Sequence, residues 1–238
     1  MNRKGFFALL IAVVLPVSSY LLVKFYSQRD VQMPHRYFFD SVNVVEKRGK
    51  LTSDTTWHHV KNIAFTNQLG KKVSMNDLNG KILVLDFFFT RCPTICPALA
   101  KSMKRLQDAF KKNDTSIVQF LSVSIDPEHD SVPELRRFAE RYKADNDTWW
   151  FVTGDKKEIY DFALHEIKAS IADVNVDTTF VHSDLFFVLD KERIVRGWYG
   201  GLDSNAQSKL VRDIPLLMLE KNRKKSFKDF LRELFGRS

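Results

Sequence analysis

The sequence predicts an α/β fold, a mixed sheet with helices on both faces, and three observations carry that expectation. Two continuous apolar runs, KILVLDFFF (81–89) and IVQFLSVSI (117–125), suit strands buried on both faces of a sheet. Between them Leu99, Met103, Leu106 and Phe110 recur at helical spacing, so strand, helix and strand form a crossover joining a parallel pair. A late run, DLFFVLDKERIVRGWYGG (184–201), reads as an antiparallel hairpin turned near Lys191. At 238 residues the chain buries one full core and leaves little for a second.

At the N-terminus, after Asn2, Arg3 and Lys4, comes the uncharged stretch FFALLIAVVLPVSSYLLV (6–23), ended by Lys24. At ~1.5 Å per residue it is long enough to cross a bilayer core, so residues 1–25 read as an N-terminal transmembrane helix. A cleaved signal sequence is the competing reading, but the small-x-small cleavage pattern is poor. Both readings place the rest of the chain, from residue 26 onward, on the exported side. Residues 26–61 are polar and irregular and read as a spacer. IAFTNQLGKKVSM (63–75) predicts a hairpin turned at Leu69 and Gly70. Ser131-Val132-Pro133-Glu134 has the form of a capping box opening a helix to about Tyr142. TWWFVTG (148–154) predicts a further strand, 156–167 a helix, and SNAQSKLVRDIPLLMLEK (204–221) a closing helix interrupted or kinked at Pro215. The main domain is thus expected over 62–220.

Net charge is +8, part of it in the tail from Glu220, where seven Lys or Arg face three Asp or Glu. Phe227, Phe230, Leu231, Leu234 and Phe235 recur there at helical spacing, so 221–238 reads as a basic amphipathic tail. It can pack on its own domain or lie on an acidic membrane surface. No nucleic-acid motif is present, and an exported chain is not expected to meet nucleic acid.

Both cysteines lie in FFFTRCPTICPAL (87–99), where a buried strand ends and a helix begins. Two are too few for a disulfide scaffold. A helix N-terminus favours negative charge, so at least one of Cys92 and Cys96 should carry a lowered pKa. Pro93 suits the first helical turn. With both cysteines helical, their α-carbons would sit about 6 Å apart, which permits a disulfide or two thiolates on one ion. Packing as small hydrophobes is the plain alternative.

Two thiolates alone rarely complete a metal site, so the six histidines matter. His35 lies in the spacer, His58 and His59 suit strand-edge or solvated roles, His129 a turn, and His165 a solvated helix face. His182 follows a polar loop and precedes the late apolar strand, which puts it at a sheet end as a ligand or a structural histidine. Asp126 and Asp130, at the end of the second apolar strand, suit hydrogen bonds around the sulfurs or a cap on the next segment.

Taken in order, DFFFTRCPTICP, VSIDPEHD, FVTG and VHSDLFFVLD with YGG after it resemble the Sco/SenC family of membrane-tethered copper proteins that assist cytochrome c oxidase assembly. The resemblance runs from about residue 62 to 202. It implies a thioredoxin-like fold, an N-terminal membrane anchor, and copper, Cu(I) with Cu(II) as the other oxidation state, held by two cysteines and one histidine. On matching positions these are Cys92, Cys96 and His182. Family members usually carry Asp before that histidine, where this chain has Val181, so the hydrogen bond orienting the imidazole is in doubt. The chemistry agrees, because Cu(I) is soft, prefers thiolate and accepts three ligands, leaving a side open for transfer. The implied partner is the copper-receiving subunit of a cytochrome c oxidase. Only five residues precede the apolar run, too few for a mitochondrial transit peptide, so the expected home is a bacterial inner membrane, single-pass, with the C-terminal domain in the periplasm.

A second reading is a thiol-disulfide oxidoreductase acting on exported proteins, with Cys92 and Cys96 as the redox pair. Against it, oxidoreductases of this fold carry C-x-x-C and a cis-proline, whereas this chain has C-x-x-x-C and no proline between Pro133 and Pro215. Peroxide reduction ranks last, because Thr90 stands only two residues before Cys92 rather than at the Thr-x-x-Cys spacing.

Overall fold

The computed structural model describes residues 12–22, 33–47, 50–111, 117–169 and 184–220. Two compact units emerge, Met1–Met33 and Pro34–Ser238. In the first, residues 12–22 are helical with exposed side chains. Among the described residues no helix is long and apolar enough to cross a membrane. The expected transmembrane helix is therefore not shown. Its described part reaches only ~16 Å at 1.5 Å per residue, against a ~30 Å hydrocarbon core, and residues 6–11 and 23 of the apolar stretch lie outside the described residues.

The second unit is built on a seven-stranded mixed sheet in the order β4-β3-β7-β6-β5-β8-β9. Its strands are β3 (Ala64–Asn67), β4 (Lys72–Ser74), β5 (Ile82–Phe88), β6 (Val118–Ser124), β7 (Trp149–Thr153), β8 (Leu185–Leu189) and β9 (Val195–Gly200). β5, β6 and β7 are parallel; β3 and β8, which flank them, are antiparallel to them, and the edge strands β4 and β9 pair antiparallel with β3 and β8. The two long apolar runs become the central β5 and β6, buried at every position. Sequence and layering agree here because a strand covered on both faces has no use for alternation. The β3–β4 hairpin turns at Gly70, whose φ of +78° is the left-handed conformation that glycine adopts without strain.

The helices are α1 (Ile95–Phe110), α2 (Val132–Arg141), α3 (Lys156–Asp161) and α4 (Ser204–Leu219). They cover both faces, as successive residues of β5 show. Phe88 packs on Phe138 of α2 at 5.1 Å between ring centroids, while Phe87 packs on Phe162, just after α3, at 6.4 Å. α1 buries Cys96, Leu99, Ala100, Met103, Leu106 and Phe110, one stripe at three- and four-residue steps.

Four expectations need correction. The segment read as an irregular spacer contains an antiparallel hairpin, β1 (Phe39–Lys47) with β2 (Lys50–Trp57). Its polar residues concealed it, because a two-stranded ribbon outside the main sheet need not alternate clearly. The helix expected over 156–167 is α3 followed by a π-helical turn, Phe162–Glu166, which closes with Ile167 N–H on the Phe162 carbonyl at 3.0 Å. Ser131 begins α2, but its side chain makes no capping bond, and Glu134 pairs with Arg137 instead. α4 runs through Pro215 without interruption; Pro215 is exposed, so the carbonyl that its ring leaves unpaired can be met by water.

Candidate metal and redox site

The site begins where β5 leaves the sheet. Cys92 precedes α1 and Cys96 is its second residue, so only one cysteine is helical. Thr94 occupies the N-cap without a side-chain bond, and Pro97, not Pro93, stands in the first turn. Instead of a hydroxyl cap, the sulfur of Cys92 accepts the backbone N–H of Cys96 at 3.4 Å. Both cysteines are buried, and they are not joined in a disulfide.

The two sulfurs differ in proton affinity. The Cys96 thiol donates to Cys92 and, outweighing the burial that opposes it, holds the Cys92 pKa down to about 4; the N–H groups of Cys96, Thr94 and Ile95 add to this. Donating that hydrogen bond, together with burial, pushes the Cys96 thiol far up. At neutral pH the pair is therefore one thiolate and one thiol sharing a proton. Such a pair supplies a nucleophile beside a proton donor. It also supplies two soft donors to a cation able to displace the remaining proton.

Supporting residues fix the loop. Asp130, fully buried, accepts from Thr90 N–H at 3.1 Å, from Thr90 Oγ1 at 2.5 Å and from Ser124 Oγ at 2.6 Å. Burial raises its pKa against those bonds. Asp126 accepts from Arg91 Nη2 at 2.7 Å and pairs with His129 Nδ1 at 2.8 Å. Burial works against its charge, but His129 and Arg91 outweigh it and hold the carboxyl below the ordinary range. Of the two jobs expected for these aspartates, the bonds found serve the loop around the cysteines rather than a cap on the next helix: Asp126 ties down Arg91, the residue before Cys92, and Asp130 anchors Thr90.

Beneath the pair lies Asp86, the one charged residue of β5. It accepts from Ser122 Oγ at 2.6 Å, and Ser122 in turn accepts from Trp149 Nε1 at 2.9 Å. Burial raises the Asp86 carboxyl to about 7, and its charge is one of the influences pushing Cys96 upward. Asp86, Arg91 and Ser124 are not singled out by the sequence, and Thr90 is read there only for its spacing to Cys92. For Asp86 a signal existed, a carboxylate inside an otherwise apolar buried run.

His182 and Val181 lie outside the described residues. Among the described residues no group of three potential metal ligands comes together. Of the other histidines, His129 lies in a turn and His165 is exposed, as expected, whereas His58 is held between two carboxylates rather than solvated. His58 sits between Asp40 at 2.8 Å and Glu166 at 3.0 Å, His59 bonds the Glu192 carbonyl at 2.8 Å, and His165 is exposed near Asp161.

The family model SCO1/SenC matches residues 53–218, well over half of the sequence. This chain belongs to the SCO1/SenC family. The SCO1 protein homolog of Bacillus subtilis is 32% identical over 167 residues, covering 70% of this chain and 86% of that protein. A SCO1/SenC family lipoprotein from Bacillus anthracis superposes with a TM-score of 0.62 at 30% identity, over 68% of this chain and 95% of that one. BsSco, a member of the Sco family of cytochrome c oxidase assembly proteins in which a disulfide switch was identified, gives 0.62 at 32% identity, over 69% and 96%. The mixed sheet and its helices are those of the thioredoxin-like Sco structures, so the fold read from the resemblance holds.

Proposed function

We propose that this SCO1/SenC protein carries copper, held by Cys92, Cys96 and His182, to the dinuclear copper site of a cytochrome c oxidase. It does so from a single-pass anchor in a bacterial inner membrane, with its domain in the periplasm. The observation that carries the reading is the Cys92–Cys96 pair, preorganised at the start of α1 with one sulfur already a thiolate. A soft monovalent cargo such as Cu(I) suits this donor set, and export suits the membership of an oxidase-assembly family.

The packing around Asp184 supports His182 as third ligand. The Asp184 carbonyl accepts the Gly201 N–H at 2.6 Å, and a Cβ on Gly201 would lie 2.4 Å from Leu99 Cδ2, one turn along α1 from Cys96. His182 stands two residues before Asp184 in the sequence.

The reduced fragment Pro34–Ser238, titrated with Cu(I) against a competing chelator, tests the assignment. Stoichiometric tight binding is expected for the parent and its loss for Cys92→Ala, Cys96→Ala and His182→Ala. Undiminished binding in His182→Ala removes the histidine from the site.

The same pair favours a second role, reduction of the oxidase cysteines before loading. The Cys92 thiolate attacks one sulfur of the recipient disulfide, displacing the other as a thiolate. Cys96 then attacks Cys92 and gives up its proton, which leaves the recipient with two reduced sulfurs and this chain with a disulfide.

A further inference from the structure

One imidazole ties the β1–β2 ribbon to the rest of the domain. His58, the residue after β2, sets Nδ1 against Asp40 of β1 at 2.8 Å and Nε2 against Glu166, the last residue of the π-helical turn, at 3.0 Å. The ribbon gains little from burial. Phe39, Val42 and Val44 are 60%, 47% and 65% exposed, and a two-stranded ribbon in water is marginally stable by itself. Its base is fixed by main-chain bonds, Tyr37 N–H to the Val195 carbonyl at 2.9 Å and Val60 N–H to the Arg193 carbonyl at 3.0 Å, and by His59 on the Glu192 carbonyl at 2.8 Å. The His58 contact reaches past that base to a side chain of the ribbon itself.

The two carboxylates on the ring are not equivalent. Glu166 is 6% exposed, its Oε2 also accepts Lys61 N–H at 3.0 Å, and its Oε1 faces Lys61 Nζ at 3.0 Å. Burial works against its charge, but the N–H and ammonium of Lys61, and then His58, outweigh it and hold the carboxyl below the usual range. Asp40 is 57% exposed. From α3, Glu158 and Asp161 line the cavity beside Lys61 and Glu166, and Asp161 stands 3.8 Å from His165. A neutral imidazole has one donor and one acceptor, so between two carboxylates it satisfies only one, whereas the imidazolium donates to both. On losing a proton the ring keeps Nε2–H toward Glu166, which is buried away from water. The bare Nδ1 then faces an oxygen of Asp40, which is free to turn outward.

We propose that His58 is a proton-operated latch: protonated, it clasps β1 to the π-helical turn through Asp40 and Glu166, and on deprotonation it releases Asp40 while staying on Glu166. Counting donors fixes the direction. The ribbon is held at this point on the acid side of the ring's titration and let go as pH rises through it. The latch uses none of the residues of the cysteine site, so it stands or falls independently of the copper reading.

Hydrogen–deuterium exchange of the full chain, kept soluble in a non-ionic detergent, tests the latch. Exchange is followed over 39–47 and 50–57 from about pH 5.5 to 8.5 and divided by the intrinsic rate at each pH. In the parent, protection is expected to fall by roughly two- to fivefold as pH rises, the size of a part-exposed ion pair. Asp40→Asn should stay protected at both ends of the range, because its amide accepts from the imidazolium and donates to the bare Nδ1. Asp40→Ala should be poorly protected at both. Asp40 is exposed, so neither variant disturbs the core. A parent profile flat in pH overturns the proposal. So does a pH dependence that survives in Asp40→Ala, which assigns it to another group such as His59 or His165. Asp40→Asn losing protection as the parent does also overturns it, because the release then does not need the carboxylate.

Discussion

Replacing Asp86 by asparagine should change how stability depends on pH, in a direction the geometry fixes. The carboxyl is 2% exposed, and among the described residues its side-chain partner is Ser122. Burial raises its pKa from the ordinary 3.8 to about 7. In the unfolded chain the same group ionises near 3.8, so between those values the folded state holds a proton that the unfolded state has released. Folding stability is then fully present below pH ~4 and is lost as pH rises through about 7. At ~1.36 kcal/mol per pH unit, the loss is about 4 kcal/mol. Asparagine keeps an acceptor for Ser122 but adds a second N–H that needs a partner, so the variant can start ~1–3 kcal/mol lower at acid pH. The informative quantity is therefore the difference between the two pH profiles. Urea unfolding of the fragment Pro34–Ser238 with and without Asp86→Asn, from pH 4 to 8 at constant salt, measures it, provided the denaturant slope is unchanged. The variant should gain on the parent by a few kcal/mol over that range. Parallel profiles would refute the reasoning, because they require a carboxylate that is solvated or ionised throughout.

In the reduced, copper-free protein, ultraviolet thiolate absorbance should show one thiolate forming with a midpoint of about 4 and persisting through neutral pH; in Cys96→Ala the midpoint should rise, since the Cys96 thiol is its largest cause. Two thiols titrating together near the free value of ~8.5 would show that the pair is not coupled. Gly201→Ala should destabilise the domain by ~1–3 kcal/mol, because the added Cβ meets Leu99 Cδ2 at 2.4 Å and the Asp184 carbonyl at 3.0 Å; an unchanged urea midpoint contradicts that packing.

What the sequence disclosed, and what it withheld, divides by physical cause. β5, β6 and α1 were legible because burial on both faces, or on one stripe, writes directly into residue choice. The cysteine pair was legible because proline and cysteine at a strand-to-helix boundary have few other uses. The β1–β2 hairpin was hidden, since its exposed residues answer to solvent rather than to a core. The first turn of α1 was misread at the level of one residue. A cap depends on backbone angles, and Thr94, with no side-chain bond of its own, gave its place to the Cys92 sulfur. Arg196 could not be read at all, because its partners at 34, 35 and 220 are gathered only by the fold.

The asymmetry of the pair bears on how one site could serve two activities. Attack on a disulfide needs only the sulfur that is already ionised, and Cys92 is ionised because Cys96 keeps its proton. Binding a cation through both sulfurs requires that proton to leave, against burial and against the negative charge of Cys92. A cation entering beside Cys92 neutralises that charge and replaces the hydrogen bond as its partner, so it removes the main reason for Cys96 to stay protonated. Without metal the arrangement is set as a nucleophile with a proton donor; a cation held by both sulfurs, as proposed, would require two thiolates. What distinguishes the two states is the hydrogen bond between Cys96 and Cys92.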